Sequence, residues 1–357
     1  MKIAQVTPLY EAVPPRLYGG TERVVAHLTD ALVDLGHEVT LFASAEAQTK
    51  ARLIAVRDQA IRLDPAPLKS DFASHLTQLA EVRALADDFD VIHFHTDMVQ
   101  FPFFADRAER TLTTLHGRLD LKDLPAVYKR WPQFPLVSIS NDQRRPLPFA
   151  NWAGTVHHGM SADLYRFSET TDGYLAFLGR ISPEKRPDRA IALAKRLGKR
   201  LKIAAKVDAA DSAYFQEIIE PMIRGEALIE FVGEIGDEEK SAFLGGAEAL
   251  LFPIDWPEPF GLVMIESMAC GTPVVAYRCG SVPEVIEHGV TGLIVDNDDE
   301  AAEAILRAPS LDRNLVRRRF EERFSSEAMA RRYVALYERL CAGAAVYPSL
   351  VELAASA

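Results

Sequence analysis

The sequence has 357 residues, of which 48% are hydrophobic and 25% are charged. Chains of this length usually bury more than one core, so we expect two globular domains. The formal net charge of −11 argues against a nucleic-acid-binding protein, which would present a basic face, and small molecules are the expected partners.

The cysteines and the apolar runs indicate the compartment. Cys270, Cys279 and Cys341 are too scattered for a disulfide framework or a zinc site, which favours a reducing environment. The N-terminal stretch MKIAQVTPLY lacks the apolar core of a signal peptide, and no apolar run approaches the roughly 18 residues that span a bilayer. We therefore expect a cytoplasmic protein without stable membrane insertion.

Short apolar runs alternate with segments of helical period along the first part of the chain. KIAQVTPL is followed by ERVVAHLTDALVDLG and then by HEVTLFAS, which is the βαβ pattern. The later runs DVIHFH, TLTTLHG, PLVSIS and AGTVHHGM are short enough to be buried parallel strands. Residues 1–168 are therefore predicted to form a Rossmann-like domain.

The pattern restarts after the polar segment RFSETTDG. The new runs are YLAFLGR, LKIAAKV, LIEFVGE, ALLFPI, TPVVAY and GLIVD. Residues 169–324 are therefore predicted to form a second doubly wound α/β domain. Ligands of open α/β sheets bind beyond the carboxyl ends of the strands, so we expect the chemistry at the strand-to-helix junctions, in a cleft between the domains.

The first junction contains Gly19 and Gly20, followed by Thr21, which is placed to cap a helix that starts near Glu22. Glycines let a ligand approach the backbone, and a helix N-terminus attracts phosphate or carboxylate. A flexible turn before a capped helix explains the same residues. The motifs GxGxxG and GxxxxGK[ST] do not occur, which argues against a dinucleotide-dependent dehydrogenase and a P-loop enzyme.

Histidines follow two of the predicted strands. His116 comes after the run TLTTL and is expected at the carboxyl edge of the first sheet, where it can bond a sugar hydroxyl or serve as a structural partner. His93 and His95 lie on one face of a strand that Asp97 continues, so a metal site is an alternative. We disfavour it because no further ligand cluster accompanies these residues.

Two cations follow the strand that opens the second half. Arg180 and Lys185, in the stretch FLGRISPEKRP, suit a diphosphate group, although each is also explained as a surface cation. A nucleoside diphosphate leaving group needs its growing charge stabilised, either by a divalent metal or by Arg, Lys and helix N-termini. The Asp-x-Asp at residues 296–298 is typical of a solvated loop, so the residues favour the metal-free route.

Two carboxylates bracket the stretch EPFGLVMIE. Glu258 lies in the loop after the run ALLFPI, and Glu266 lies about one turn into the helix that follows. A loop carboxylate can accept hydrogen bonds from the hydroxyls of a sugar, and one in the helix can accept them from a ribose. Four amides fall where a helix N-terminus binds phosphate, namely those of Phe260, Gly261, Leu262 and Val263. The alternative is a capped helix with two surface glutamates.

EPFGLVMIE, with the downstream MACGTPVVAYRCGSVPEVIEHGVTGLIV, resembles the family 4 retaining glycosyltransferases of the GT-B fold, in the glycogen synthase and sucrose synthase-like superfamily. The resemblance covers nearly the whole chain, and its supporting matches are YGGTE, DVIHFH, LHG, GRISPEK and FVGEI. The resemblance implies two Rossmann-like doubly wound domains facing an interdomain cleft. It also implies that the C-terminal helix, residues 325–357, packs back on the first domain.

The same resemblance implies an activity, the transfer of a sugar from a nucleotide diphosphate sugar with retention at the anomeric carbon and no metal or other cofactor. A UDP-sugar is the first expectation and a GDP-sugar the second. The acceptor is open among a sugar, a lipid-linked sugar, a polyol and a small metabolite.

Roles for single residues also follow from the resemblance. Glu258 would contact the hydroxyls of the donor sugar, and Glu266 would contact the ribose. Arg180 and Lys185 would bind the diphosphate. His116 would contact and position the sugar.

Gly20 would lie under the diphosphate or the acceptor. The chain departs from the family pattern in His158-Gly159-Met160-Ser161, where Asn, Gly, an apolar residue and Asp are usual. It also departs at Lys206 and Asp208 in AAKVD, where small residues are usual. The arginines of VRRRFEERF are interpreted as a solvated helix face.

Two other classes of protein stay open. One is a regulator that binds a nucleotide sugar without turnover, which would never release free nucleotide. The other is a different GT-B activity, such as a phosphorylase or an epimerase, which phosphate dependence or product identity would separate.

Overall fold

The computed structural model describes residues 1–16 and 19–343. These residues form two compact units, one of residues 1–161 with the described chain from Ser326 onward, the other of Ala162–Ser325. The sequence places the domain boundary after residue 168, whereas the compact units divide between Ser161 and Ala162. Tyr18 of the YGGTE motif and the predicted C-terminal helix beyond Gly343 lie outside the described residues.

The first unit is built on a parallel sheet. Its strands are β1 (Lys2–Val6), β2 (Glu38–Ser44), β3 (Arg52–Arg57), β4 (Val91–Phe94), β5 (Thr111–Thr114), β6 (Leu136–Ser138) and β7 (Trp152–Thr155). Their order in the sheet is β3-β2-β1-β4-β5-β6-β7. β3 is not predictable from the apolar pattern, because this edge strand is half-buried and its run RLIAVR begins and ends with arginine.

Helices cover this sheet. They are α1 (Gly20–Asp34), α2 (Asp71–Ala84), α3 (Phe101–Phe104), α4 (Leu124–Arg130) and, from the end of the described chain, α13 (Ser326–Cys341). The buried stripe of α1, including Val24, Leu28 and Leu32, follows the helical period of the sequence. The expected cap by Thr21 is wrong, because α1 begins at Gly20, two residues before Glu22, and the residue before the helix is Gly19, which has no side chain to cap with.

The second unit repeats the architecture with a second parallel sheet. Its strands are β8 (Tyr174–Arg180), β9 (Leu201–Lys206), β10 (Ile229–Gly233), β11 (Ala247–Phe252), β12 (Val274–Tyr277) and β13 (Gly292–Val295), in the order β10-β9-β8-β11-β12-β13. All six coincide with predicted apolar runs. Because β8 and β11 are parallel neighbours, the loops that follow them leave the sheet at the same edge.

The helices of this unit include several short ones. They are α5 (Pro187–Leu197), α6 (Ser212–Tyr214), α7 (Glu220–Ile223), α8 (Asp237–Gly245), α9 (Leu262–Ala269), α10 (Val282–Val285), α11 (Asp298–Arg307) and α12 (Arg313–Phe324). Asn297 caps α11 by accepting hydrogen bonds from the amides of Asp299 and Glu300. The Asp-x-Asp segment is therefore a helix start rather than a loop.

The arginines of the run VRRRFEERF form the expected solvated face only in part: Arg318 is exposed, whereas Arg317 and Arg323 donate hydrogen bonds to backbone carbonyl oxygens. Arg313, which precedes this run in α12, is held in the same way. Arg313 is buried and donates hydrogen bonds to the carbonyl oxygens of Ser168 (2.8 Å) and Gly245 (2.8 Å). Arg317 donates to the carbonyl oxygen of Ala162 at 2.7 Å. A guanidinium group has five donors in a fixed fork, so one arginine side chain can donate to several backbone carbonyl oxygens at once.

Candidate functional site

The loop between β11 and α9 carries the predicted carboxylate Glu258. Phe260 is buried and packs against Phe324 with 6.1 Å between the ring centroids. Gly261 has a φ of +80° and precedes Leu262, the first residue of α9. The amides of Gly261, Leu262 and Val263 thus lie at the start of the helix, where backbone N–H groups have no partner within the helix.

Lys185 and Glu258 are joined directly. Lys185 follows β8 in a short 3-10 turn, and its Nζ donates a hydrogen bond to Oε2 of Glu258. The indole N–H of Trp256 donates to the same oxygen at 2.9 Å, and Nζ of Lys185 lies 5.0 Å from the centroid of the Trp256 ring. The cation and the carboxylate that the sequence assigns to different groups of a ligand therefore form one ion pair.

Gly280 and Ser281 hold this loop in place, and neither is among the predicted site residues. Ser281 donates from its amide to the carbonyl oxygen of Glu258 (3.0 Å) and from Oγ to that of Phe260 (2.7 Å). A Cβ atom on Gly280 would lie 2.5 Å from the carbonyl oxygen of Glu258, and φ there is +55°. Only glycine allows this close approach without a shift of the loop.

Arg180, the last residue of β8, lies among carboxylates. It contacts Glu184 at 2.6 Å, Asp211 at 3.5 Å and Asp208 at 3.8 Å. Lys206 is paired in register with Arg180 on the neighbouring strand β9, and its Nζ lies 3.0 Å from Asp208. Arg180 and Lys206 thus stand at the same edge of the sheet, and each is matched by acidic residues.

Glu266 is buried in α9 and has two partners that are not among the predicted site residues. Lys240 donates to its Oε1 at 2.9 Å, and the hydroxyl group of Tyr165 donates to the same oxygen at 3.1 Å. Asp237 lies 3.4 Å from Lys240, so this cation is shared between two carboxylates. The contacts fix the Glu266 carboxylate by one oxygen, Oε1.

The first unit contains the other two predicted residues, Gly20 and His116. Gly20 is the first residue of α1. His116 follows β5, and its Nε2 lies 2.8 Å from Nδ1 of His95. Burial lowers the pKa of His116 to about 3, so its imidazole is neutral at physiological pH.

The neighbouring histidines are fully engaged in hydrogen bonds. His93 contacts Tyr337 through Nδ1 (2.7 Å) and Thr114 through Nε2 (2.8 Å). His95 contacts His116 through Nδ1, and its Nε2 contacts Oε1 of Gln5 (2.8 Å). Within residues 1–16 and 19–343, no three His, Cys, Asp or Glu side chains are placed to hold a metal ion.

The predicted residues thus fall into two sets. Arg180, Lys185, Glu258, Phe260, Gly261, Leu262, Val263 and Glu266 belong to the second unit, and Gly20 and His116 belong to the first. Within the second unit, the structure joins Lys185 to Glu258 and places Arg180 at the edge of the sheet from which both loops leave. The helices of the described chain include none that is long and apolar enough to cross a membrane.

Both units match models of glycosyltransferase families. Residues 18–154 match the model described as Glycosyltransferase Family 4, and residues 166–326 match the model described as Glycosyl transferases group 1. The chain belongs to this family of glycosyltransferases, as the sequence resemblance predicts.

Curated relatives match parts of the chain. The N-acetyl-alpha-D-glucosaminyl L-malate synthase of Bacillus anthracis is 32% identical over 149 residues, which are 38% of this chain and 39% of that protein. The D-inositol 3-phosphate glycosyltransferase of Mycolicibacterium smegmatis is 30% identical over 188 residues, which are 46% of this chain and 39% of that protein. The chain therefore spans well under half the length of these two relatives.

Solved structures match nearly the whole chain. A glycosyltransferase involved in avilamycin A biosynthesis has a TM-score of 0.73 and 26% identity, and the match covers 96% of this chain and 98% of that one. The sucrose-phosphate synthase of Thermosynechococcus elongatus has a TM-score of 0.77 and 22% identity, and the match covers 96% of this chain and 100% of that one. The predicted GT-B fold with two Rossmann-like domains is confirmed.

Proposed function

We propose that this protein is a retaining glycosyltransferase that moves a sugar from a nucleotide diphosphate sugar to a hydroxyl-bearing acceptor without a metal ion. The observation that carries the proposal is the ion pair of Lys185 and Glu258 at the edge of the second sheet where β8 ends in Arg180. Membership of the glycosyltransferase family supports the reaction class.

In the proposed reaction the nucleoside diphosphate leaves with a growing negative charge. Arg180 and Lys185 bind its phosphate oxygens, together with the amides of Gly261, Leu262 and Val263 at the start of α9. Fixed cations and oriented amides stabilise such a charge where it develops, which is the task that a divalent metal performs in other enzymes. The proposal of a metal-free reaction rests on these groups.

The two carboxylates bind the uncharged parts of the donor, which are its sugar and its ribose. Glu258 accepts hydrogen bonds from hydroxyls of the sugar once Lys185 turns to the diphosphate, and Glu266 accepts them from the ribose. The contacts of Lys240 and Tyr165 to Oε1 of Glu266 support the second role, because they hold the carboxylate in one orientation. Gly20 and His116 keep their predicted roles, at the diphosphate or acceptor and at the transferred sugar respectively.

Retention follows from attack on the face of the sugar that the phosphate leaves. The bond from the anomeric carbon to the phosphate oxygen breaks, and the bond to the acceptor oxygen forms on the same side. A leaving phosphate oxygen takes the proton of the acceptor hydroxyl, so Glu258 does not serve as a covalent nucleophile. Between the breaking of the first bond and the formation of the second, an oxocarbenium ion is paired with the diphosphate, and Arg180 and Lys185 stabilise the charge of that diphosphate.

We favour a UDP-sugar as donor and place a GDP-sugar second. The Anabaena protein HepE, 18% identical to this chain with a TM-score of 0.72, was solved in complex with UDP and glucose. The names of the two curated relatives give different acceptors, L-malate and D-inositol 3-phosphate. The acceptor is therefore left open among a sugar, a lipid-linked sugar, a polyol and a small metabolite, and the cysteine usage favours a reaction in the cytoplasm.

The experiment that tests the proposal is a thermal-shift panel of UDP, GDP, ADP and dTDP, each alone and as common sugar derivatives, with and without EDTA. We expect a selective shift that EDTA does not change and that Lys185→Met removes. Lys199→Met is the matched control, because Lys199 forms a half-buried ion pair with Glu248 (2.5 Å) and precedes β9 at the opposite edge of the sheet.

Two results contradict the proposal. If no nucleotide in the panel shifts the melting temperature, there is no donor site. If the shift depends on magnesium, the reaction is not metal-free. With the base known, release of free nucleotide is then measured over a panel of acceptors. Binding without release under every acceptor leaves a non-catalytic regulator, and phosphate-dependent turnover indicates a phosphorylase.

A further inference from the structure

A buried chain of hydrogen bonds leads from the first strand of the first unit to His116. Gln5 lies in β1, His95 follows β4 and His116 follows β5, three neighbouring strands of the sheet. Nε2 of His95 lies 2.8 Å from Oε1 of Gln5, and Nδ1 of His95 lies 2.8 Å from Nε2 of His116. Gln5 and His95 are almost fully buried, so water does not compete for these contacts.

The same network continues from the other end of the Gln5 amide. Nε2 of Gln5 donates to the hydroxyl group of Tyr337 at 3.1 Å. From there the contacts run to His93, to Thr114 and to the hydroxyl group of Tyr333, at 2.7, 2.8 and 2.9 Å. Tyr333 and Tyr337 both belong to α13, so this helix closes the network.

The position of each proton follows from the amide. An amide oxygen only accepts, so His95 carries its proton on Nε2 and has a bare lone pair on Nδ1. His116 must then donate to that lone pair from Nε2, which leaves its own Nδ1 without a proton. Burial keeps both rings neutral, since it lowers the pKa of His95 well below its usual value and that of His116 to about 3.

The reverse orientation of the Gln5 amide would exchange the donor and the acceptor in every hydrogen bond of this network. It would place a proton on Nδ1 of His116, a buried atom for which the described residues supply no partner. In the observed orientation the last acceptor of the network is instead the hydroxyl group of Tyr333, whose hydrogen can rotate. A ring N–H is fixed in direction, so stranding it is the more costly arrangement.

We propose that Gln5 and His95 are positioning residues that hold His116 as the Nε2–H tautomer, so that its Nδ1 accepts a hydrogen bond from a substrate hydroxyl group. The tautomer stands on the geometry of the first unit, and the substrate hydroxyl rests on the proposed function. A phosphate or carboxylate oxygen has no hydrogen to give to a bare nitrogen. The group that meets His116 is therefore a hydroxyl group and not an oxyanion.

The test is the long-range ¹H–¹⁵N correlation spectrum of the full-length protein labelled at histidine, recorded at pH 8. This spectrum distinguishes a protonated from a bare ring nitrogen, and the resonances of His116 are assigned by their loss in His116→Gln. We expect the proton of both His95 and His116 on Nε2. A proton on Nδ1 of His116 overturns the proposal without the need for any variant.

Variants of Gln5 test its part. Gln5→Glu keeps an acceptor for His95, so His116 should keep its tautomer. Gln5→Met removes the acceptor, and His116 should show averaged shifts of two tautomers. Gln78→Met is the matched control, because Gln78 is buried in the same unit and bonds the carbonyl oxygens of Thr7 and Phe42 instead of a histidine.

An unchanged His116 spectrum in Gln5→Met contradicts the positioning role. If thermal melting shows that Gln5→Met does not fold, the wild-type and Gln5→Glu spectra decide, since a His116 proton that moves to Nδ1 in Gln5→Glu is equally contradictory.

Addition of the donor found in the thermal-shift panel tests whether Nδ1 of His116 accepts a hydrogen bond from a substrate hydroxyl group. The Nδ1 resonance of His116 should move while the proton stays on Nε2, and protonation of Nδ1 overturns this contact. If no nucleotide sugar binds at all, the proposed function fails, and the tautomer measured in the free protein is unaffected.

Discussion

Lys185 donates a hydrogen bond from Nζ to Oε2 of Glu258, so two of the candidate binding groups are paired with each other. The side chains are 20% and 13% exposed, and Trp256 donates to the same carboxylate oxygen. Under the proposed function a donor has to separate the pair, with its diphosphate replacing Glu258 as the partner of Lys185. The sequence assigns the two residues to different parts of the donor and gives no sign of this competition.

Glu258→Gln should separate turnover from affinity. The amide still meets the sugar with one oxygen but cannot offer a charged acceptor, so we expect turnover to fall by ~100-fold or more. The affinity for the free nucleoside diphosphate should stay the same or rise by up to ~10-fold, because Lys185 no longer competes with a carboxylate. Initial rates and titration calorimetry measure the two effects.

Glu248→Gln is the matched control for this variant, since Glu248 pairs with Lys199 at 2.5 Å in a similarly half-buried setting. It should leave both quantities unchanged. Small and equal losses of rate and affinity in Glu258→Gln would contradict the assignment of Glu258 to the sugar.

Lys240→Met should weaken the binding of the ribose through Glu266. The side chains of Lys240 and Glu266 are 13% and 6% exposed, so removal of one leaves a buried charge, at a cost of ~3 kcal/mol in the free energy of unfolding. For a unit of this size that corresponds to a fall in Tm of roughly 6–12 °C. The preference for UDP over 2′,3′-dideoxy-UDP should shrink as Glu266 loses its orientation.

Lys195→Met provides the control, because its ion pair with Glu226 is exposed on both sides and should contribute at most ~1 kcal/mol. Calorimetric Tm values and binding constants for both nucleotides are compared. An unchanged preference in Lys240→Met, with Tm lowered as expected, would show that Lys240 supports the fold but not the ribose contact.

The fold is predictable from the sequence because parallel strands that are buried on both faces have continuous apolar sequences. β1 and β11 are both nearly fully buried, and both are predicted. The half-buried edge strand β3 gives no such signal. The placement of Glu258 before α9 and of Glu266 within it follows from local helix rules, which need only neighbouring residues.

The partners of the site residues are not predictable in this way, because they come from distant parts of the chain. Lys240 and Tyr165 reach Glu266 from other elements of the second unit, and nothing in their local sequence distinguishes them from surface residues. Gln5 carries a weak signal as a polar residue inside an apolar strand. Its pairing with His95 depends on the strand order, which the sequence does not specify.

Gly280→Ala should displace the loop that carries Glu258. The new Cβ would lie 2.5 Å from the carbonyl oxygen of Glu258 and 2.8 Å from the carbonyl carbon of Pro257, so backbone atoms would have to move. We expect donor binding and turnover to fall together, because both depend on this loop. Gly198→Ala is the control, since Gly198 also has a positive φ (+63°) but a Cβ added there would meet no atom within 4 Å.

The control isolates the cost of the left-handed backbone, which is about 1–2 kcal/mol for a residue with a Cβ. Urea unfolding should show that loss in Gly198→Ala with donor affinity intact, and a larger loss in Gly280→Ala. Equal stability losses and unchanged donor binding in both variants would mean that the loop adapts to the added methyl group.

His158→Asn should flatten the dependence of stability on pH. His158 is buried and stacks on His116 with 5.1 Å between ring centroids, and burial lowers its pKa well below the usual value. The folded protein therefore keeps this ring neutral, whereas the unfolded chain takes up a proton below pH ~6.5. The free energy of unfolding should fall by ~1.4 kcal/mol per pH unit for this residue as the pH drops below that value.

Urea unfolding at pH 5.5, 6.5, 7.5 and 8.5 measures the slope, which should be shallower in His158→Asn below pH ~6.5 and equal in both proteins above it. Parallel curves over the whole range would mean that His158 is protonated in the folded protein as readily as in the unfolded chain.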